Sequence, residues 1–487
     1  MMNGNLHRLL WPLALVALAV ALLWRLPLSN SSLPRSVNLL TETASDLSAL
    51  LNSGRITSAQ LVEECLDRIY SHDKHGLRLN SVLNLVPREL LRSTAMGLDS
   101  KRRYDGAQQS DLFGIPILIK DHFATDPTLG LPTTGGAFAL ANVTAKQDAT
   151  AIHQLREAGA IILGKTNLDE LSGSKGHNLG SGWSKPGGKT RSAYTLGSPC
   201  GSSGGSAVAV SAGLVPVALG SETAGSVTCP ASHAALFGFV PSGDLVSKHG
   251  MAPISTSFDR SGILSKSTAD LVSVLGIIAQ SNKPSAQEIA SSNYRIDTAL
   301  WADFRIGRAD PDFFGKTHGV YHDETGEINM YKAVSEAIAR METLGAFVNM
   351  NASFPSAKLI PQEWEKMQRI MRHDMKSSFA KFCLEAHNSP VRDVPELVKY
   401  NKEHWVDALK QDGLAFPQGQ EILEKSVEEN MDKDEYYDAM SMLHESANTS
   451  GIEYAFKAHD VDFLVAPGWS WISVYSGITG MHDGLRM

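Results

Sequence analysis

The apolar positions of this chain follow two rhythms. Behind Thr57-x-x-Gln60, a capping-box signature, Leu61, Val62, Cys65, Leu66 and Ile69 recur at helical spacing and form one face. Short unbroken apolar runs interrupt this rhythm at residues 115–119 and 160–163, with the length and the glycine or proline borders of buried strands. Between them, residues 151–158 read as a helix that Gly159 closes. Residues 207–210 read as a buried helix, fed by a polar loop and capped by Gly213. Farther on, residues 333–344 form a helical pattern ending at Gly345, a strand is expected over 346–348, and a buried strand over 463–465 before Pro467. Helices alternating with buried strands predict an α/β architecture in which helices cover a mixed sheet.

Length and composition narrow the class. A chain of 487 residues with 43% hydrophobic content buries a large core, and no linker, charge run or internal repeat divides it. A net charge of −8 and a pI near 6.1 leave no basic stripe for phosphates, which argues against nucleic acid as a partner. The four cysteines, Cys65, Cys200, Cys229 and Cys383, show no metal-ligand spacing along the chain. Cys200 and Cys229 flank the most unusual stretch and read as small buried thiols rather than as a disulfide or a nucleophile.

That stretch spans residues 197–230 and reads GSPCGSSGGSAVAVSAGLVPVALGSETAGSVTCP. It places Ser202 and Ser226 in two tight glycine settings, 24 positions apart. A serine that attacks an amide needs a base for its proton and donors for the oxyanion. No histidine lies inside the stretch; His233 follows it. Lys120 ends the apolar run 115–119, where it is either a strand end turned to solvent or, beside these serines, a buried amine. Burial disfavours the ammonium form and would make such a lysine a base. Gly225 permits a sharp turn, so that the amides of Thr223, Ala224, Gly225 and Ser226 converge on one oxygen.

Two other motifs compete. Residues 201–205 satisfy G-x-S-x-G, which would make Ser203 a nucleophile, but that elbow needs a strand before it and residues 193–199 read as a loop. Residues 159–166 match the phosphate-loop pattern, yet here a helix precedes and a strand follows, the reverse of the required order.

The serine-rich stretch, Lys120 in GIPILIKDH and the run through Gly164, Lys165, Thr166, Asn167, Asp169 and Glu170 together resemble the amidase signature family. Asp259, Gly262 and Ser267 match a block that follows the nucleophile in that family, and the likeness is strongest over residues 56–270. The resemblance implies a twisted central sheet with helices on both faces, in one domain over residues 29–487. It also implies an amidohydrolase with a Ser–Ser–Lys triad: Ser226 as nucleophile, Ser202 as relay and Lys120 as base, with no metal or organic cofactor. The substrate is expected to be a small-molecule or peptide amide, with specificity set by residues 123–139 and by the weakly matching region after Asn282. Two departures bear on this. Ala224 stands where the family usually has glycine, and the chain after Pro467 lacks the family's closing strand and helix, which is expected to leave a sheet edge unpaired. A catalytically silent, membrane-associated relative, truncated at the C-terminus, is therefore the alternative reading.

Residues 1–28 stand apart. His7 and Arg8 precede an apolar run over residues 9–24, which reads as a secretory signal, an uncleaved anchor or a buried helix, with the anchor favoured because no small-x-small cleavage site follows. Sixteen helical residues rise about 24 Å, against a hydrocarbon core of roughly 30 Å; residues 25–28 nearly close the gap, with Arg25 turned to the headgroups. Sequons at Asn30, Asn142, Asn351 and Asn448 are compatible with the secretory pathway and a glycoprotein. Full-length chain is expected in the membrane pellet after alkaline carbonate extraction. Secreted protein beginning near Ser29 would mark a cleaved signal, and soluble unglycosylated cytosolic chain would refute both.

Overall fold

The computed structural model describes residues 37–104, 109–176, 180–280, 300–309, 324–404, 419–468 and 470–479. The expected capping box forms: Thr57 Oγ1 accepts from the Gln60 amide at 3.1 Å and the Gln60 side chain accepts from the Thr57 amide at 2.9 Å. Helix α1 (Ser58–Arg68) follows and buries Leu61, Val62, Cys65 and Leu66. The chain then runs through β1 (Val82–Leu85), α2 (Arg88–Tyr104), β2 (Pro116–Lys120), α3 (Thr150–Glu157), β3 (Ile161–Thr166) and α4 (Gly204–Ser211). Next come β4 (Val217–Glu222), α5 (Thr228–His233), β5 (Phe237–Phe239), β6 (Arg260–Ser265) and α6 (Thr268–Ile278).

Six of these elements form one mixed sheet in the order β1-β3-β2-β4-β6-β5. Its centre is parallel, with Lys120 opposite Thr166 across β2 and β3, and Ile119 opposite Leu219 across β2 and β4. The outer pairings are antiparallel. Every residue of β2, β3, β4 and β6 is buried, because helices cover the central strands on both faces. That is why β2 and the first half of β3 read as continuous apolar runs and not as an alternation.

Strand β3 settles the phosphate-loop match. Gly159 closes α3 with φ +87°, and Lys165 points into the protein, where its Nζ donates to the Phe123 carbonyl at 2.6 Å and lies 3.5 Å from Asp121. Its ammonium is already engaged and fully buried.

A second layer is built from β7 (Arg305–Ala309), α7 (Glu324–Thr343), β8 (Phe347–Ala352), α8 (Ile360–Glu385), α9 (Glu421–Glu428), β9 (Phe463–Val465) and α10 (Ile472–Thr479). Its three strands form a parallel sheet in the order β8-β7-β9. Among the described residues β9 stands at the edge of that sheet, with Phe463 half exposed. Met367 and Ile370 of α8 pack with Val474, Tyr475 and Ile478 of α10 into a separate apolar cluster. No helix among the described residues is long and apolar enough to cross a membrane, and residues 1–28, including the expected anchor, lie outside them.

The sequons differ from expectation at one position. Asn142 and Asn351 are exposed, but Asn448 is 3% exposed and its Nδ2 lies 2.7 Å from His444 Nε2. A glycan has no room there in the folded chain. Asn30 lies outside the described residues.

Helix α4 lies so close to the end of β3 that a Cβ at Gly205 would sit 2.3 Å from the Asn167 carbonyl oxygen and 2.6 Å from that of Ser81. These are backbone atoms held by the sheet and cannot swing aside. Gly205→Ala should lower stability by about 1–3 kcal/mol, as overpacking does, measured by urea unfolding at pH 7.

Candidate active site

The carboxyl ends of β2 and β4 deliver the chemistry, as expected where parallel strands end together. Lys120 is the last residue of β2 and is fully buried. Its Nζ lies 2.7 Å from Ser202 Oγ, 2.8 Å from Ser221 Oγ and 3.3 Å from the Ser221 carbonyl oxygen. Burial lowers the ammonium pKa to about 7, against the opposing pull of Asp169, Asp259 and Glu222. The lysine is therefore a buried amine and not a strand end turned to solvent.

Ser202 sits in the loop that feeds α4, after a cis Gly201–Ser202 peptide bond. Its carbonyl accepts from the Asp169 amide at 3.3 Å. Burial lifts the Asp169 carboxyl to about 6, although the Gly182 amide donates to it.

Ser226 lies in the turn between β4 and α5 and lines a cavity of about 160 Å³. Its carbonyl accepts from the Ser203 amide at 3.0 Å, which sets the two serine turns side by side. Gly225 takes φ +88°, while Ala224 is not among the positive-φ residues. One left-handed residue is enough for this turn, so alanine in place of glycine at 224 is accommodated.

Buried carboxylates hold the turn open. Glu222 Oε2 accepts from the amides of Val227 at 2.7 Å and Thr228 at 2.9 Å. Asp259 accepts from Thr223 Oγ1 at 2.6 Å and from the Ile254 and Ser255 amides. Among the described residues, no hydrogen bond engages the amides of Thr223, Ala224, Gly225 and Ser226. Thr223 is fixed through its side chain.

Ser203 has a different task. Its Oγ donates to the Ser221 carbonyl at 3.1 Å and accepts from the Ser221 amide at 3.2 Å, fully buried. It ties α4 to β4 and does not face the cavity.

The cavity wall differs partly from expectation. Trp364, Met371 and Met375 of α8 and Ile422 of α9 line it, all from the region after Asn282. Residues 123–139 do not. They lie behind the wall, where the Gly135 carbonyl accepts from the Leu171 amide at 2.7 Å. The wall proper includes Ser172, Gly173 and Ser174, which sequence reasoning missed. Leu171 and Ser172 hold left-handed φ of 51° and 53°, a strained pair of the kind that collects at binding sites.

Cys200 and Cys229 form a disulfide, contrary to the reading of separate thiols. Their Cα atoms lie 6.0 Å apart because the neighbouring serine turns pack together, a distance that a bridge spans without distortion of the backbone. His233 lies beside them, all three ligand atoms falling within 4.8 Å of one another. Bonded to each other, the sulfurs offer no thiolate to a metal.

Burying a lysine has a stability signature. Unfolded, the ammonium titrates near 10.4; folded, it titrates at about 7. Between these values the unfolded chain holds more protons, so the penalty is fully present below pH 7 and fades as the pH rises towards 10. Lys120→Met should therefore raise the urea midpoint at pH 6, and the gain should vanish near pH 10.

The family model described as Amidase matches residues 60–470. A probable amidase of Arabidopsis thaliana is 29% identical over 470 residues, which cover 94% of this chain and 85% of that protein. A glutamyl-tRNA(Gln) amidotransferase subunit of Chloroflexus aurantiacus is 35% identical over 331 residues, 66% of this chain and 61% of that protein. Among solved structures, the native peptide amidase of Stenotrophomonas maltophilia superposes with a TM-score of 0.75 at 30% identity, covering 90% of this chain and 88% of that one. The cavity, the buried amine and the paired serine turns thus stand in an amide-hydrolysing enzyme, and the chain belongs to the amidase signature family.

Proposed function

We propose that this chain hydrolyses a linear carboxamide through an acyl-enzyme on Ser226. The observation that carries this reading is the 2.7 Å contact between Lys120 Nζ and Ser202 Oγ inside a fully buried setting. Ser226 Oγ attacks the carbonyl carbon and gives its proton to Ser202 Oγ, whose own proton passes to the Lys120 lone pair. The amides of Thr223, Ala224, Gly225 and Ser226 receive the developing oxyanion, with the Thr223 hydroxyl anchoring the turn on Asp259. As the C–N bond breaks, Ser202 protonates the leaving amine and recovers a proton from Lys120. Water then releases the acid by the same route.

The substrate is a small-molecule or peptide amide. The apolar wall of Trp364, Met371 and Ile422 supports an acyl group with an apolar body, and a peptide amidase stands among the similar structures. The contact of Lys120 Nζ with Ser202 Oγ favours an active enzyme over a silent relative. We also propose a secretory-pathway location for the chain, with membrane association through residues 1–28. The Cys200–Cys229 disulfide supports an oxidising compartment.

Ser226→Ala should abolish both hydrolysis and labelling by a fluorophosphonate probe, while Ser203→Ala should leave Ser226 reactive. Peptide mapping of the probe to Ser203 would overturn the assignment. The neutral lysine is the working form, so kcat/KM should rise with pH through about 7 and level off above it. Lys120→Ala should lower kcat by roughly 10²–10⁴-fold; near-normal rates in that variant would place the base elsewhere.

A further inference from the structure

His122 stands two residues beyond Lys120, buried, and the relay described above does not use it. Its Nδ1 lies 2.8 Å from Ser221 Oγ, and the same oxygen lies 2.8 Å from Lys120 Nζ. We infer that His122 is a positioning residue: by accepting the Ser221 hydroxyl hydrogen at Nδ1, it keeps the Lys120 lone pair directed at Ser202.

A neutral amine has two N–H bonds and one lone pair. Lys120 Nζ meets three oxygens, and one of them, the Ser221 carbonyl, can only accept. One N–H and the lone pair remain for two hydroxyls, those of Ser202 and Ser221. If the lone pair faces Ser202, that hydroxyl donates to the amine and its proton is ready to transfer. If it faces Ser221, Ser221 donates instead, Ser202 is reduced to an acceptor, and the base is closed to the relay.

The two arrangements differ in where the single Ser221 hydrogen goes. Ser221 Oγ has Lys120 on one side and His122 Nδ1 on the other. When Nδ1 takes the hydrogen, the second arrangement is lost and the productive one remains. This requires a neutral ring protonated at Nε2. Burial first, then the charges of Lys120 and Lys165, push the imidazole pKa well below its ordinary value, so the ring is neutral wherever Lys120 is. The Nε2–H tautomer is part of the inference.

The inference rests on the Ser202–Lys120 relay, and the experiment separates the two. His122→Leu removes the acceptor and should lower kcat about five- to tenfold, the worth of one hydrogen bond in choosing between the arrangements, with KM unchanged. His122→Asn places Oδ1 where Nδ1 stood and should restore most of kcat. His122→Gln carries its amide farther out and should behave like His122→Leu, which keeps the test available should the leucine variant fail to fold. The deciding measurement is the double variant. In a Ser221→Ala background the competing hydroxyl is gone, so His122→Leu should cost little more. The same loss with and without Ser221, or equal losses in the Asn and Leu variants, would make His122 a packing residue and overturn the inference. Near-normal rates in Lys120→Ala measured alongside would instead refute the relay itself.

Discussion

The withdrawal of one ammonium group from water governs this molecule. Lys120 closes the middle strand of a sheet that is buried on both faces, and the protein interior holds its titration at about 7. A lysine on the surface would stay charged at neutral pH and have no lone pair to offer. The depth of the sheet thus lowers the lysine's proton affinity, and the serine turns are arranged around a group that destabilises the fold at neutral pH.

The surrounding acids work under the same constraint. Glu222 and Asp259 are buried and Asp169 is half-buried, and each carboxylate accepts backbone amides: Val227 and Thr228, Ile254 and Ser255, and Gly182 respectively. Their negative charge raises the lysine's proton affinity only against a larger effect of burial. These contacts shape the serine turns, and the hydrogen bonds offset part of the carboxylates' own desolvation.

Much of this was legible in the sequence, for identifiable reasons. Helix α1 was marked by Thr57 and Gln60, and β2 by an apolar run, because both signals are local. The glycine settings of Ser202 and Ser226 and the isoleucines before Lys120 were legible as local patterns, and the fold brings Lys120 and Ser202 together. Ser221 and His122 were not legible. Their meeting depends on β2 pairing with β4 at the register of Leu118 with Ala218, which no local pattern encodes. The disulfide escaped for the same reason, since Cys200 and Cys229 are brought together by two turns that pack only in the folded chain. The cavity wall at Ser172 depends on a left-handed backbone at two residues without glycine's freedom, and nothing in their identity announces it. Asn448 satisfies a sequon rule that is blind to burial.

The Cys200–Cys229 bond has a topological consequence. It closes a ring with a sequence separation of 29 residues, and both serine turns, helix α4 and strand β4 lie within that ring. A ring of this size removes on the order of 3–4 kcal/mol of loop entropy from the unfolded chain. A backbone cleaved once inside it remains a single covalent molecule, with Ser202 and Ser226 still tethered to each other. Lys120 lies outside the ring and is held to it by strand pairing and by its hydrogen bonds to Ser202 and Ser221. The two serines are thus secured to each other by a covalent bond, whereas Lys120 is secured to them by non-covalent contacts, strand pairing and hydrogen bonds.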